Sequence, residues 1–233
     1  MVGIEENLKI VQNRIAGAAL KTGRQPGDIT LVAVTKTVPS DLINRAIAGG
    51  VAVIGENRVQ EAAQKYPDIT GGVQWHLIGH LQSNKAKKAV EMFSLIHSID
   101  SLNIAQEVGR RALEAGKVQE VLLEVNTSGE PQKYGFQIEE VVKMVNEIKD
   151  VEGLKVMGLM TVGPLTEDDQ RVRKAFRRLR NIFQEAARLN LPKVQMKHLS
   201  MGMSGDFETA IEEGSNMVRI GSAIFGARWI PSR

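Results

Sequence analysis

The stretch Ile29-Thr30-Leu31-Val32-Ala33-Val34-Thr35-Lys36 is β-branched and apolar almost to its end, where it stops on an amine. So short a run, with no polar alternation, reads as a strand covered on both faces, the pattern of a parallel sheet flanked by helices. Pro26-Gly27-Asp28 turns the chain into it. Pro39-Ser40-Asp41 then caps a helix that carries Leu42, Ile43, Ala46 and Ile47 and stops at Gly49-Gly50.

Working outward, the alternation continues. Further strand-like runs fall at 51–54, 74–78, 93–99, 121–125, 154–160, 194–199 and 217–220. Helical patterns lie between them, at 59–65, at 83–90 with Ser83 as N-cap, through Ile104, Val108 and Ala112, at 141–148, at 167–189 and through Phe207, Ala210 and Ile211. An amphipathic helix at 5–21, with Leu8, Val11, Ile15 and Ala19 on one face, precedes them all. Roughly eight strand–helix units in a chain of this size suit a closed TIM-type (β/α)8 barrel better than an open doubly wound sheet. The expected fold is therefore α/β, a single barrel with an extra N-terminal helix. Without a linker or composition shift, residues 1–233 are expected to form one domain.

Bulk properties narrow the function. An apolar fraction of 42% and a charged fraction of 24% are ordinary for a globular protein. The net charge of +3 is spread along the chain without an aromatic–basic motif, so no nucleic-acid partner is expected. There is no cysteine, which excludes disulfides, thiolate nucleophiles and iron–sulfur clusters. No carboxylate or histidine spacing calls for a metal. The N-terminus lacks a signal-peptide pattern, and no run approaches the ~20 apolar residues of a membrane span, so a cytoplasmic chain without membrane contact is expected.

In such barrels the chemistry sits where strands end. Lys36 ends the first, so its amine emerges in the barrel mouth, where burial lowers its pKa and frees a lone pair for an aldehyde. The ordinary alternative is a lysine that caps the strand or pairs with Glu56. Ser200-Met201-Gly202-Met203-Ser204-Gly205-Asp206 and Gly221-Ser222 follow the seventh and eighth strands, the usual place for a phosphate, with Ser200 and Ser204 as donors and Met201 and Met203 packed beneath. Arg219 should point inward with Gly221. It would donate to a ring nitrogen or an oxygen, or else form an interior ion pair with Glu56 or Glu124.

These residues resemble the pyridoxal phosphate homeostasis proteins. The carriers are Leu31 to Lys36, Gly55-Glu56-Asn57-Arg58-Val59-Gln60-Glu61, Trp75-His76-Leu77-Ile78-Gly79-His80-Leu81-Gln82-Ser83-Asn84-Lys85, Gly158-Leu159-Met160-Thr161, Leu199 to Asp206, and Val218-Arg219-Ile220-Gly221. That family looks like the barrel half of alanine racemase, fold type III of the pyridoxal enzymes. The resemblance implies pyridoxal 5′-phosphate held as a Schiff base on Lys36. It implies phosphate contacts from Ser200, Gly221 and Ser222, an Arg219 hydrogen bond to the pyridine nitrogen, and Asn57 and Met160 beside the cofactor. Lys133 matches a family lysine that would be a transient second acceptor.

The implied role is a carrier and buffer of the cofactor, with apo forms of pyridoxal-phosphate enzymes as further partners. The alternative is a racemase-like enzyme; a Schiff-base aldolase would use the same lysine without the cofactor. An arginine on the pyridine nitrogen leaves it unprotonated and a weak electron sink. Racemisation also needs a proton donor opposite Lys36. His80, His198 and Lys133 have more ordinary uses, and Tyr66 and Tyr134 do not match the racemase base. The chain ends about a dozen residues after the last strand run, so the racemase dimerisation domain is expected to be missing and the protein to be a monomer.

Overall fold

The computed structural model describes residues 3–130 and 132–226. Its strands are β1 (Thr30–Val34), β2 (Val53–Glu56), β3 (Gln74–Leu77), β4 (Leu95–Ile99), β5 (Gln119–Asn126), β6 (Phe136–Gln137), β7 (Leu154–Met160), β8 (Val194–Ser200) and β9 (Met217–Ile220). All pair in parallel, in the order β4-β3-β2-β1-β9-β8-β7-β5, and a β4–β5 pairing closes the ring. The result is an eight-stranded TIM-type barrel, as expected. The two-residue β6, absent from the sequence pattern, adds only to the edge of β5.

Helices α1 (Ile4–Lys21), α2 (Ser40–Ala48), α3 (Val59–Lys65), α4 (Ala86–Met92), α5 (Leu102–Glu114), α6 (Val141–Ile148), α7 (Asp169–Arg188), α8 (Phe207–Glu212) and α9 (Ser222–Phe225) form the outer layer. The apolar stripe of α1 packs on α8, α9 and α2, so α1 fills the place that the four-residue α9 leaves open. Ser83 starts a 3-10 turn that leads into α4 and makes no N-cap hydrogen bond, nor do the residues before α2. Asp168 does cap α7, accepting the N–H groups of Gln170 and Arg171. On the basic face of α7, Arg173 and Arg177 pair with Glu212 and Glu213. No helix among the described residues is long and apolar enough to cross a membrane.

Strand residues divide into two sets by parity. Ala33, Ile54, Leu77, Ile96, Leu123 and Ile220 join the helices in one large core. Val32, Val53, Leu95, Leu122, Met157, Met160 and Met217 form a smaller cluster of their own, the filling of the barrel. Parity slips on β7, where the register shifts between Val156 and Gly158 against β8. Gly158 lies at φ 145°, and a Cβ there would sit 1.9 Å from the His198 carbonyl oxygen. Only glycine fits that approach. Gly158→Ala should therefore cost roughly 3 kcal/mol, read by denaturant unfolding; an unchanged midpoint would refute the close contact.

Candidate functional site

Register decides what reaches the mouth. Val32 pairs with Val53 on one side and with Arg219 on the other, and Val34 pairs with Gly55. Because Val32 and Val53 fill the interior, the next inward positions up β1 and β2 are 34 and 55, and then 36 and 57. Lys36, Asn57, Arg219, Gly221 and Ser222 accordingly line one cavity of about 410 Å3, together with Val162, Ser204 and Gly205. Lys36, Asn57, Ser204, Arg219, Gly221 and Ser222, all singled out in the sequence, thus converge.

The backbone around Lys36 is clamped from behind. The Thr35 hydroxyl donates to Glu56 Oε1 at 2.7 Å, and Lys65 Nζ donates to the Thr35 carbonyl at 2.8 Å and to Glu56 at 2.9 Å. Glu61 accepts from Lys65 at 2.6 Å and from the N–H of Thr37, which sits in the left-handed region at φ 61°. Glu56 is fully buried, and burial raises its pKa against the pull of Lys65 and Thr35. Glu56 and Glu61 therefore hold the strand end from which Lys36 projects.

The opposite wall offers N–H groups. Those of Gly221 and Ala223 converge on Ser204 Oγ, at 3.2 and 3.3 Å. Gly202, at φ 97°, lets this loop lie on α8, since a Cβ there would meet Ala210 at 2.5 Å. A phosphate oxygen needs donors set this way. Met201 is buried as expected, but Met203 is 39% exposed and lines the cavity wall rather than packing beneath the loop.

Two expected contacts lie deeper. Ser200 is fully buried, opposite Met217, and its Oγ accepts from Arg219 Nη1 at 2.6 Å. Its hydroxyl is thereby used below the cavity and is not among the groups lining it. Met160 pairs in register with Ser200 and belongs to the barrel filling. Both support the site from underneath, because they are one layer short of the mouth. Lys133 lines a neighbouring cavity that shares Val162, Met203 and Gly205 with the first; its Nζ meets Glu130 at 2.7 Å and donates to the Gly163 carbonyl at 3.1 Å.

Arg219 is the head of a buried polar chain. Its second nitrogen donates to the Thr161 carbonyl at 2.7 Å, so neither expected ion pair forms among the described residues. Ser200 Oγ lies 3.1 Å from His97 Nδ1, and His97 Nε2 lies 3.1 Å from His76 Nδ1. Burial pushes the His76 pKa down to about 3 and that of His97 well below the usual range, so both rings are neutral at pH 7. One donor order satisfies the chain: Arg219 to Ser200, Ser200 to His97 Nδ1, and His97 Nε2–H to His76. His198 adds to the downward push on both neighbours. Burial lowers the Arg219 pKa to about 10, against the pull of Glu124 and Asp206, which leaves it charged.

Comparison with known proteins places this geometry. The alanine racemase N-terminal domain family matches residues 4–229. A pyridoxal phosphate homeostasis protein of Aquifex aeolicus is 42% identical over 96% of this chain and 97% of its own. That of Escherichia coli K12 is 39% identical over 98% of both chains. The chain belongs to the pyridoxal phosphate homeostasis protein family. PipY of Synechococcus elongatus PCC7942, solved with pyridoxal phosphate bound, is 34% identical, with a TM-score of 0.81 over 91% of this chain and 100% of that one.

Glu124, which points inward from β5 near Arg219, was foreseen only as an ion-pair partner. Burial first, then Asp100, pushes its pKa up to about 7 from 4.5, while Arg219 pulls the other way. Folding thus favours its protonated form. That stability is complete below about pH 4.5 and is lost as pH rises through about 7. Glu124→Gln should flatten the stability–pH curve across this window and gain roughly 2–3 kcal/mol at pH 8. Urea unfolding at several pH values checks it, and a slope equal to wild type would contradict the assignment.

Proposed function

We propose that this chain binds pyridoxal 5′-phosphate as a Schiff base on Lys36 and serves as a carrier and buffer of that cofactor rather than as a catalyst. The observation that carries the reading is the meeting of Lys36, Arg219, Ser204, Gly221 and Ser222 around one cavity. When bound, the cofactor supplies an aldehyde for an amine, a phosphate for N–H donors and a pyridine nitrogen that accepts.

The chain's own residues answer each requirement. Lys36 projects from a clamped strand end at the cavity wall. Gly221, Ser222 and Ser204 offer donors to a phosphate, in a volume of about 410 Å3 that suits a small ligand. Arg219 can only donate, and its two fixed partners hold its plane, so an acceptor nitrogen against it stays unprotonated. That arrangement favours holding over electron withdrawal. The names of the curated relatives support the same reading.

Positions of the proton-transfer candidates also support a carrier. Tyr66 packs against Trp75 at 5.3 Å, and Tyr134 stacks on His80 at 4.0 Å. His80 is tied to Asp100, and Lys133 to Glu130 and Gly163. Delivery to apo forms of pyridoxal-phosphate enzymes would extend the role.

Wild-type protein incubated with pyridoxal phosphate should show the yellow absorption of an imine, bleached by borohydride, and Lys36→Ala should lack it. Loaded protein should exchange the α-protons of amino acids no faster than free cofactor does. A wild-type protein that stays colourless would end the cofactor assignment, and rapid exchange would restore the racemase reading.

A further inference from the structure

The segments 55–61 and 75–85 carry more polar residues than the Lys36 pocket uses. Glu56 and Glu61 act in the clamp, but Arg58, Gln60, Gln82 and Lys85 face a second cavity of about 640 Å3, lined also by Asn57 and His80. Asn57 lines both cavities, which therefore adjoin. Every one of these side chains can donate a hydrogen bond, and no carboxylate lines the wall.

The two cations here are not neutralised by a neighbouring carboxylate, as several arginines of this surface are. Arg14, Arg45, Arg110, Arg111, Arg173 and Arg177 each meet a carboxylate. Among the described residues, Arg58 and Lys85 have no side-chain hydrogen bond or ion pair, and neither do the amides of Asn57, Gln60 and Gln82. Glu61 feels Arg58 electrostatically, but its Oε1 is bonded to Lys65 and to the Thr37 N–H. Asp100 is bonded to His80 Nδ1 at 2.9 Å.

The wall is also held in place. A Cβ on Gly79 would lie 2.4 Å from the Asn57 carbonyl oxygen, so the loops after β2 and β3 pack backbone to backbone. His80 is fixed between Asp100 and the ring of Tyr134. Two cations and three amide donors are thus gathered in a concave, braced site before any ligand arrives, which lowers the ordering cost of binding.

We propose that Arg58, Lys85, Gln60 and Gln82 form a second ligand site, for the phosphate or carboxylate of a small anionic molecule that sits beside the Lys36 pocket. A guanidinium fork and an ammonium together match a tetrahedral or planar oxyanion, and the volume accepts a metabolite larger than the anion itself. The site stands independently of what Lys36 holds.

The test is a titration of 15N-labelled full-length protein at constant ionic strength, with inorganic phosphate in one arm and acetate in the other. Phosphate should shift the amides of 57–60 and 79–85 saturably, in wild type and in Lys36→Ala alike. Arg58→Gln and Lys85→Gln, both on solvent-accessible side chains, should each weaken that binding about tenfold. Saturation by phosphate alone assigns a phosphate ester, and saturation by acetate as well assigns the broader carboxylate class. The proposal falls if these amides do not saturate, if neither substitution changes the affinity, or if the shifts are confined to 202–206 and 221–223, which would put the anion only in the first pocket.

Discussion

The register between β9, β1 and β2 is the constraint on which the site depends. With Val32 opposite both Val53 and Arg219, side chains of one parity on three adjacent strands enter the barrel at matched heights. A slip of one residue in β1 would turn Lys36 out toward the helices and bring Thr35 in. Two separate layers oppose such a slip: the interior cluster around Val32 and the outer core around Ala33. The Glu56–Lys65–Thr35 clamp then fixes the end of β1, because Glu56 has the outward parity of β2 and reaches Thr35 from behind.

Inside the barrel, the polar chain below Arg219 is admitted with its bonds met. An arginine, a serine and two histidines are buried together, and each hydrogen bond in the chain has a named acceptor. Removing such groups from water costs several kcal/mol unless they are satisfied. The neutral rings at the lower end let the chain carry one charge, on Arg219, instead of three. A single orientation of the guanidinium follows, since its two nitrogens answer to Ser200 on β8 and to the carbonyl of Thr161 just beyond β7.

Much of this was legible in the sequence, and for a simple reason. Unbroken apolar runs mark strands covered on both faces, so eight of the strands and the bounds of α3 and α6 could be read directly. Lys36 and Arg219 stood out because charge at a strand end or inside such a run is expensive. Depth was not legible. Ser200 and Met160 end their strands as Lys36 follows its own, yet strand tilt and the β7 bulge leave them a layer lower. The meeting of His76 and His97 was not legible either, because nothing in Trp75-His76-Leu77 or Ile96-His97-Ser98 says that the two rings touch. The short β6 and the 3-10 lead into α4 carry no periodicity to detect.

The contact between Gly79 and Asn57 has a thermodynamic corollary. Asn57 is a party wall between two cavities, and its backbone cannot retreat toward the neighbouring loop. An occupant pressing on one face of that wall would change the free energy of occupying the other. Linkage makes the exchange symmetric: whatever factor one ligand imposes on its neighbour's affinity, the neighbour returns.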